Sequence, residues 1–169
     1  MKLLIIRHAK AGDREQWQTK KLPDSDRPLT EEGITEFNVV VQSLPSLIVK
    51  LDRIYSSPYK RAMQTAELLR KAYPDTKISS SEVLLQGTSW KDVQSFLQKE
   101  WDKDGVICMI GHENHLSTVL SGLLSSSDEN AFRFKKGGIA FVDLELRETR
   151  VTGKLFWFLP PKAVMKLSK

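Results

Sequence analysis

Short apolar runs alternate with segments of helical periodicity along this sequence, and that alternation restricts the fold more than any other feature. Lys2–Arg7 reads as a strand, and Glu31–Ser43, continuing to Leu44, carries Ile34, Phe37, Val41 and Leu44 at helical spacing behind Thr30, a candidate N-cap. Arg53–Ser56 is a second strand. A helix over Pro58–Tyr73 follows, with Ser57 placed to cap it and Pro58 suited to its first position, where a missing N–H costs nothing. Lys77–Leu84 alternates like a strand, Trp90–Trp101 has helical spacing at Trp90, Val93 and Leu97, and Val106–Ile110 is a continuous apolar run suited to a strand buried on both faces. Asn114–Leu124 is a helix with Leu116, Val119, Leu120 and Leu123 inward. Ile139–Leu146 and Lys154–Leu159 form an antiparallel pair across the polar Arg147–Gly153. Parallel neighbours need crossovers that return over a face of the sheet. The expected fold is therefore α/β, a three-layer α/β/α arrangement around a mostly parallel sheet.

The 169 residues fit one domain spanning 1–169, and a composition 40% hydrophobic and 28% charged excludes disorder of the whole chain. The apolar stretch Leu3–Ile6 is far short of a secretory core or a membrane span, so no membrane association is expected. One cysteine, Cys108, sits inside the apolar run Val106–Ile110 and reads as packing; with no internal disulfide possible, a cytoplasmic home is expected. The excess of 26 basic over 21 acidic residues favours anionic partners without identifying one. Lys154–Lys169 is richer in Lys and reads as a solvated tail, since no aromatic-interleaved motif marks a nucleic-acid surface. Lys10–Pro28 exceeds an ordinary connection; it is either a functional loop over a site or a disordered segment.

In open α/β sheets, ligands bind beyond the carboxyl ends of the strands. Arg7 and His8 close the first strand, Gly111 and His112 follow Val106–Ile110, and Arg61 falls in the first turn of the helix opening at Pro58. Two guanidiniums and two imidazoles, with no Asp or Glu expected among them, make an electropositive pocket suited to a phosphoryl group held by fork-shaped donors. Neutral imidazole is a competent nucleophile toward phosphorus, so one histidine can attack while the other steadies the equatorial oxygens, with neither metal nor cofactor required. The remaining histidine, His115, forms His112-x-x-His115. That spacing reads as an exposed first-turn residue rather than a metal pair, because no third ligand stands at a suitable distance.

Leu4-Ile5-Ile6-Arg7-His8-Ala9 resembles the Arg-His-Gly signature of the histidine phosphatase superfamily, the phosphoglycerate mutase-like fold, with Ala9 in place of Gly. Ser56–Ala66 is similar to the second block of that family and Gly111-His112-Glu113-Asn114 to its third. Arg27-Pro28-Leu29-Thr30-Glu31-Glu32-Gly33 is most similar to the SixA-type phosphohistidine phosphatases. The resemblance implies His8 as nucleophile, Arg7 and Arg61 as phosphate clamps, and His112 as the second, stabilising histidine. Arg27 and Ser57 are further phosphate-binding candidates, Lys10 an entrance residue and Trp17 a substrate contact, each with a structural role as the plainer reading. Trp90, Trp101 and Trp157 read as core margin.

Ester-cleaving relatives supply a carboxylic acid after the third strand, where Val83-Leu84-Leu85-Gln86-Gly87 offers Gln86 and Glu82 stands out of place. A P–N bond needs less acid help than an ester, so this absence favours phosphohistidine on a partner signalling protein, such as a histidine-containing phosphotransfer domain, as substrate. A phosphatase of small phosphate esters, or a non-catalytic phosphate-binding module, are the alternatives. No nucleic-acid partner is expected, and oligomeric state is not legible.

Overall fold

The computed structural model describes residues 1–126, 128 and 131–167. Its elements run β1 (Lys2–Arg7), α1 (Arg14–Thr19), α2 (Glu31–Ser43), β2 (Arg53–Ser56), α3 (Lys60–Arg70), β3 (Lys77–Ser80), α4 (Trp90–Lys99), β4 (Val106–Gly111), α5 (His115–Leu123), β5 (Ile139–Arg147), β6 (Arg150–Leu159) and α6 (Pro161–Leu167). The sheet order is β3-β2-β4-β1-β5-β6. β3, β2, β4 and β1 are mutually parallel, while β5 and β6 join antiparallel beside β1.

Strands β1 and β4 occupy the middle of the sheet, which is why they read as unbroken apolar runs rather than alternating ones. Leu4, Ile6, Cys108 and Ile110 pack on one face with Phe37, Val40 and Val41 of α2, Ala62, Ala66 and Leu69 of α3, and Val164 of α6. Leu3, Ile5, Ile107 and Met109 pack on the other with Val93 and Leu97 of α4 and Leu116, Val119 and Leu120 of α5. These are the three expected layers. Cys108 is fully buried, and burial pushes its thiol well above the usual range, in keeping with packing. Trp157 borders the first core, and Trp90 and Trp101 border the second.

Several boundaries differ from the sequence reading. Thr30 does cap α2, accepting the Gly33 N–H at 3.0 Å, but Ser57 does not cap α3. The N–H of Ser57 is held by Ile110 O at 2.9 Å and the following proline keeps Ser57 extended, so the helix begins only at Lys60 and Pro58 stays outside it. The strand expected over Lys77–Leu84 stops at Ser80, where the chain turns into a 3₁₀ segment, Glu82–Leu84. Lys154–Lys169 is not a solvated tail in its described part: Lys154–Leu159 belongs to β6, and α6 folds back on α2 with Val164 buried. The polar separator between β5 and β6 shrinks to Glu148-Thr149, with Glu148 at φ 53°.

The long segment after β1 is ordered. It contains α1, whose N-cap Asp13 accepts the Gln16 N–H, and a 3₁₀ turn over Asp24–Asp26. Its two ends are joined by the bridge between Ala11 and Leu29. Gly33 lets this segment lie on the first turn of α2, because a Cβ there would stand 2.1 Å from Lys10 O. Among the described residues no helix is long and apolar enough to cross a membrane.

Candidate active site

The carboxyl ends of β1, β2 and β4 deliver their residues to one cleft. It has a volume of roughly 270 Å³ and is walled by Arg7, His8, Arg61 and His112, with Arg27 and Asp24 from the long loop. A larger, mainly apolar hollow of roughly 750 Å³ lies between α2 and α6, but the histidines are not in it. Chemistry rather than size picks out the smaller cleft.

His8 follows β1 directly, and its backbone N–H is held by Gly111 O at 3.0 Å, so β4 anchors it. Its Nδ1 lies 2.7 Å from Ala9 O. A carbonyl only accepts, so Nδ1 carries the ring proton and Nε2 presents a lone pair. Arg61 Nε donates to that Nε2 at 3.2 Å. Burial pushes the His8 imidazole down to about 2, with His112, Arg61 and Arg7 acting the same way against the hydrogen bond to Ala9. The ring is therefore neutral at any ordinary pH.

The ring of His112 stands 5.2 Å from that of His8 between centroids. Burial, and then the charge of Arg61, bring the His112 imidazole down to about 3. Its Nε2 is 2.8 Å from Ser57 Oγ. Ser57 thus orients His112 and does not itself line the cleft, contrary to its expected place as a phosphate donor. Tyr59 packs between the two kinds of group, its ring 5.0 Å from that of His112 and 4.8 Å from the Arg61 guanidinium.

Arg61 is the second residue of α3, as its sequence position suggested. Thr65, one turn later, donates to Arg61 O at 2.7 Å and accepts the Ala9 N–H at 3.1 Å, tying α3 to the turn after β1. Arg7 donates from Nη1 to Phe134 O at 2.6 Å, which leaves Nε without a partner among the described residues. Burial lowers both guanidiniums from their usual value, yet at such high values both remain charged.

The cleft is not free of acids, and here the sequence reading is corrected. Asp24 binds Arg61 Nη2 at 3.0 Å and Arg27 Nε at 2.8 Å, and Asp13 and Glu113 also line the walls. Burial alone would raise the Asp24 carboxyl, but Arg27 and Arg61 hold it below its ordinary range. Against these three acids stand Arg7, Arg14, Arg27, Arg61 and Lys136, so cations still predominate. Burial and the neighbouring charges of Arg7, Arg27 and Lys10 lower the Lys136 ammonium.

Arg27 is buried at the wall with Nε on Asp24 and Nη1 on Gly12 O. Lys10 does not line the cleft; it pairs with Glu32. Trp17 donates its Nε1 to Pro23 O at 2.9 Å and braces the loop rather than facing the cleft. His115 is buried, not exposed, and its Nε2 donates to Val83 O at 3.0 Å, so the two imidazoles of His112-x-x-His115 serve different partners. Asp24 carried a signal in sequence, three residues before Arg27, and Glu113 another, next to His112. Lys136 had none, because only the return of the chain before β5 brings it to the cleft.

The pattern of known families agrees with this geometry. Residues 3–85 match the model of the histidine phosphatase superfamily, branch 1. An uncharacterized protein of Picosynechococcus is 30% identical over 144 residues, covering 82% of each chain. The chain belongs to the histidine phosphatase superfamily. Among solved structures of this superfamily's fold, the protein histidine phosphatase SixA complexed with tungstate superposes with a TM-score of 0.82 at 24% identity, covering 97% of this chain and 99% of that one. A phosphoserine phosphatase from Entamoeba histolytica superposes with a TM-score of 0.67 at 19% identity, over 95% and 98%. At such identities these two likenesses speak to the fold, which is that of a phosphatase superfamily member with a phosphoglycerate mutase-like sheet.

Proposed function

We propose that this phosphatase removes phosphate from phosphohistidine on a partner protein through a covalent phosphohistidine intermediate on His8. The observation that carries the reading is the arrangement of His8: Nδ1 tied to Ala9 O at 2.7 Å, an Nε2 lone pair that faces the cleft and accepts from Arg61 Nε at 3.2 Å, and the His112 ring beside it. Nε2 attacks phosphorus in line. Arg7, Arg61 and His112 take the equatorial oxygens, using Arg7 Nε and His112 Nδ1, two shielded atoms that have no other partner among the described residues. Water then releases phosphate from His8. Arg61 leaves His8 for the phosphoryl oxygens as the bond forms, so the clamp serves the transferred group rather than the resting ring.

The P–N substrate is supported by the position after β3, where Gln86 rather than an acid faces the cleft, and by the ionised state in which Arg27 and Arg61 hold Asp24. The likeness to a structure described as a protein histidine phosphatase points the same way. We place the activity in the cytoplasm, in signalling, with no nucleic-acid partner. A second reading, hydrolysis of small phosphate esters, draws on Glu113, a carboxyl group at the cleft wall. Rapid acid-free quenching after addition of a phosphorylated histidine protein should trap acid-labile phosphate on wild type and none on His8→Ala. Faster turnover of sugar or nucleotide esters than of the phosphoprotein would reverse the choice of substrate, and the absence of any adduct would leave only a phosphate-binding module.

A further inference from the structure

The cleft suited to an anionic phosphoryl group also contains Asp24, whose own charge opposes that binding. What Asp24 offers in return is its grip on Arg61. Nη1 of Arg61 donates to Asp24 O at 2.7 Å and Nη2 donates to Asp24 Oδ2 at 3.0 Å, while Nε donates to His8 Nε2 at 3.2 Å. A guanidinium is a rigid plane, and one held at both terminal nitrogens cannot swing. Its Nε side is then the one presented to the nucleophile. We infer that Asp24 is a positioning residue of the dephosphorylation, holding Arg61 by its terminal nitrogens so that Nε stays aimed at the phosphoryl group that His8 attacks.

Asp24 is itself fixed. Its Oδ1 accepts from Arg27 Nε at 2.8 Å, and Arg27, buried at the cleft wall, donates from Nη1 to Gly12 O at 2.7 Å. The N–H of Gly12 donates in turn to Pro28 O at 3.0 Å. The two ends of the long loop are thereby joined, through Arg27 and Asp24, to the guanidinium beside the nucleophile. Each carboxylate oxygen serves a different arginine, so Asp24 sets the spacing of Arg27 and Arg61 as well as their orientation. Burial works against its charged form, but the two arginines outweigh burial and hold the carboxyl below its ordinary range, so the grip is charge-assisted. The other acids of the wall are engaged elsewhere: the Asp13 side chain caps α1, and Glu113 accepts from Ser117.

The inference rests on the proposed attack by His8 and adds no bond-making step to it. As Nε2 closes on phosphorus, Arg61 Nε exchanges its imidazole acceptor for an equatorial oxygen. The two bonds to Asp24 keep the guanidinium in place through that exchange, while Arg7 Nε and His112 Nδ1 serve the remaining oxygens.

The experiment is a double-mutant cycle read as the dissociation constant of vanadate, whose five-coordinate form presents equatorial oxygens as the transition state does. Asp24→Asn is nearly the same size and keeps the backbone carbonyl, but it loses the charge that grips both arginines. With Arg61 present it should weaken vanadate binding by roughly tenfold or more, since a group misplaced by about 1 Å forfeits up to about 100-fold. In an Arg61→Met background there is no guanidinium to aim, and Asp24→Asn should weaken vanadate by less than about threefold or tighten it. If Arg61→Met does not fold, Arg61→Gln takes its corner of the cycle. Equal weakening in the two backgrounds would assign Asp24 to the fold of the loop and overturn the inference. Tighter binding by Asp24→Asn with Arg61 present would make Asp24 a mere competitor of the substrate anion and overturn it as well, as would a wild type that does not bind vanadate. Quenched samples separate this inference from the reading beneath it: absence of acid-labile phosphate on wild type condemns His8 as nucleophile, whereas its presence with an uncoupled cycle condemns Asp24 alone.

Discussion

Lowering the pH should destabilise this fold through its two facing histidines. Both are buried, with their folded-state values pushed to about 2 for His8 and about 3 for His112 against 6.5 when unfolded. These are depressed values, so below pH 6.5 the unfolded chain takes up protons that the folded chain refuses, and stability falls as pH falls through that window. Between pH 7 and pH 5 each ring should withdraw about 2 kcal/mol, or about 4 kcal/mol for the pair, from the linkage relation at 1.36 kcal/mol per unit. His115, lowered by burial in the same direction, adds to the trend. The assay is urea denaturation of wild type and His8→Asn at pH 7, 6 and 5, read as the difference between the two proteins so that shared carboxylate effects cancel. His8→Asn should lose about 2 kcal/mol less than wild type across that range. Saturating tungstate or phosphate should flatten the wild-type curve at pH 6 by occupying the cleft of the folded state. Equal losses in wild type and His8→Asn would mean that the folded ring protonates freely, and the description of His8 as a neutral, buried imidazole would be wrong.

Arg61→Lys replaces a fork that reaches His8 and Asp24, and in the proposed reaction clamps the phosphoryl oxygens, with a single point charge, and steady-state turnover should fall by roughly 100-fold or more; a loss below tenfold would argue against the clamp. Thr65→Val leaves the buried Ala9 N–H without its acceptor and should cost about 1–3 kcal/mol in urea denaturation, with turnover reduced because Ala9 O also orients His8. Gly33→Ala puts a Cβ 2.1 Å from the Lys10 carbonyl oxygen, so the long loop or α2 must shift. About 1–3 kcal/mol of stability should be lost, and an unchanged denaturation midpoint would show that the loop does not rest on that turn.

The layers of the fold were legible because β1 and β4 lie in the middle of the sheet and their apolar runs admit few other placements, and because α2, α4 and α5 each show a helical stripe. The site was legible in part for the same reason: chemistry gathers where parallel strands end, so Arg7, His8, Arg61 and His112 could be grouped before any distance was known. Ser57 was misread because its hydroxyl, free to cap a helix in a linear reading, is taken by a histidine 55 positions away. His115 was misread because the turn after β3 covers it, and nothing local reports that cover.

Linear order determined which residues end the strands, which elements alternate, and that a pair of imidazoles and a pair of guanidiniums share one edge of the sheet. Tertiary structure alone decided what the acids of the cleft touch. Asp24 reaches Arg61 across 37 positions, the carboxyl of Glu113 has one oxygen held by Ser117 and one without a hydrogen-bond partner among the described residues, and Lys136 arrives from the segment before β5. Periodicity and strand-end rules act over a few residues, whereas the charge balance of a pocket is summed over groups that only folding brings within a few ångströms, and so it is written in the packing rather than in the order of the chain.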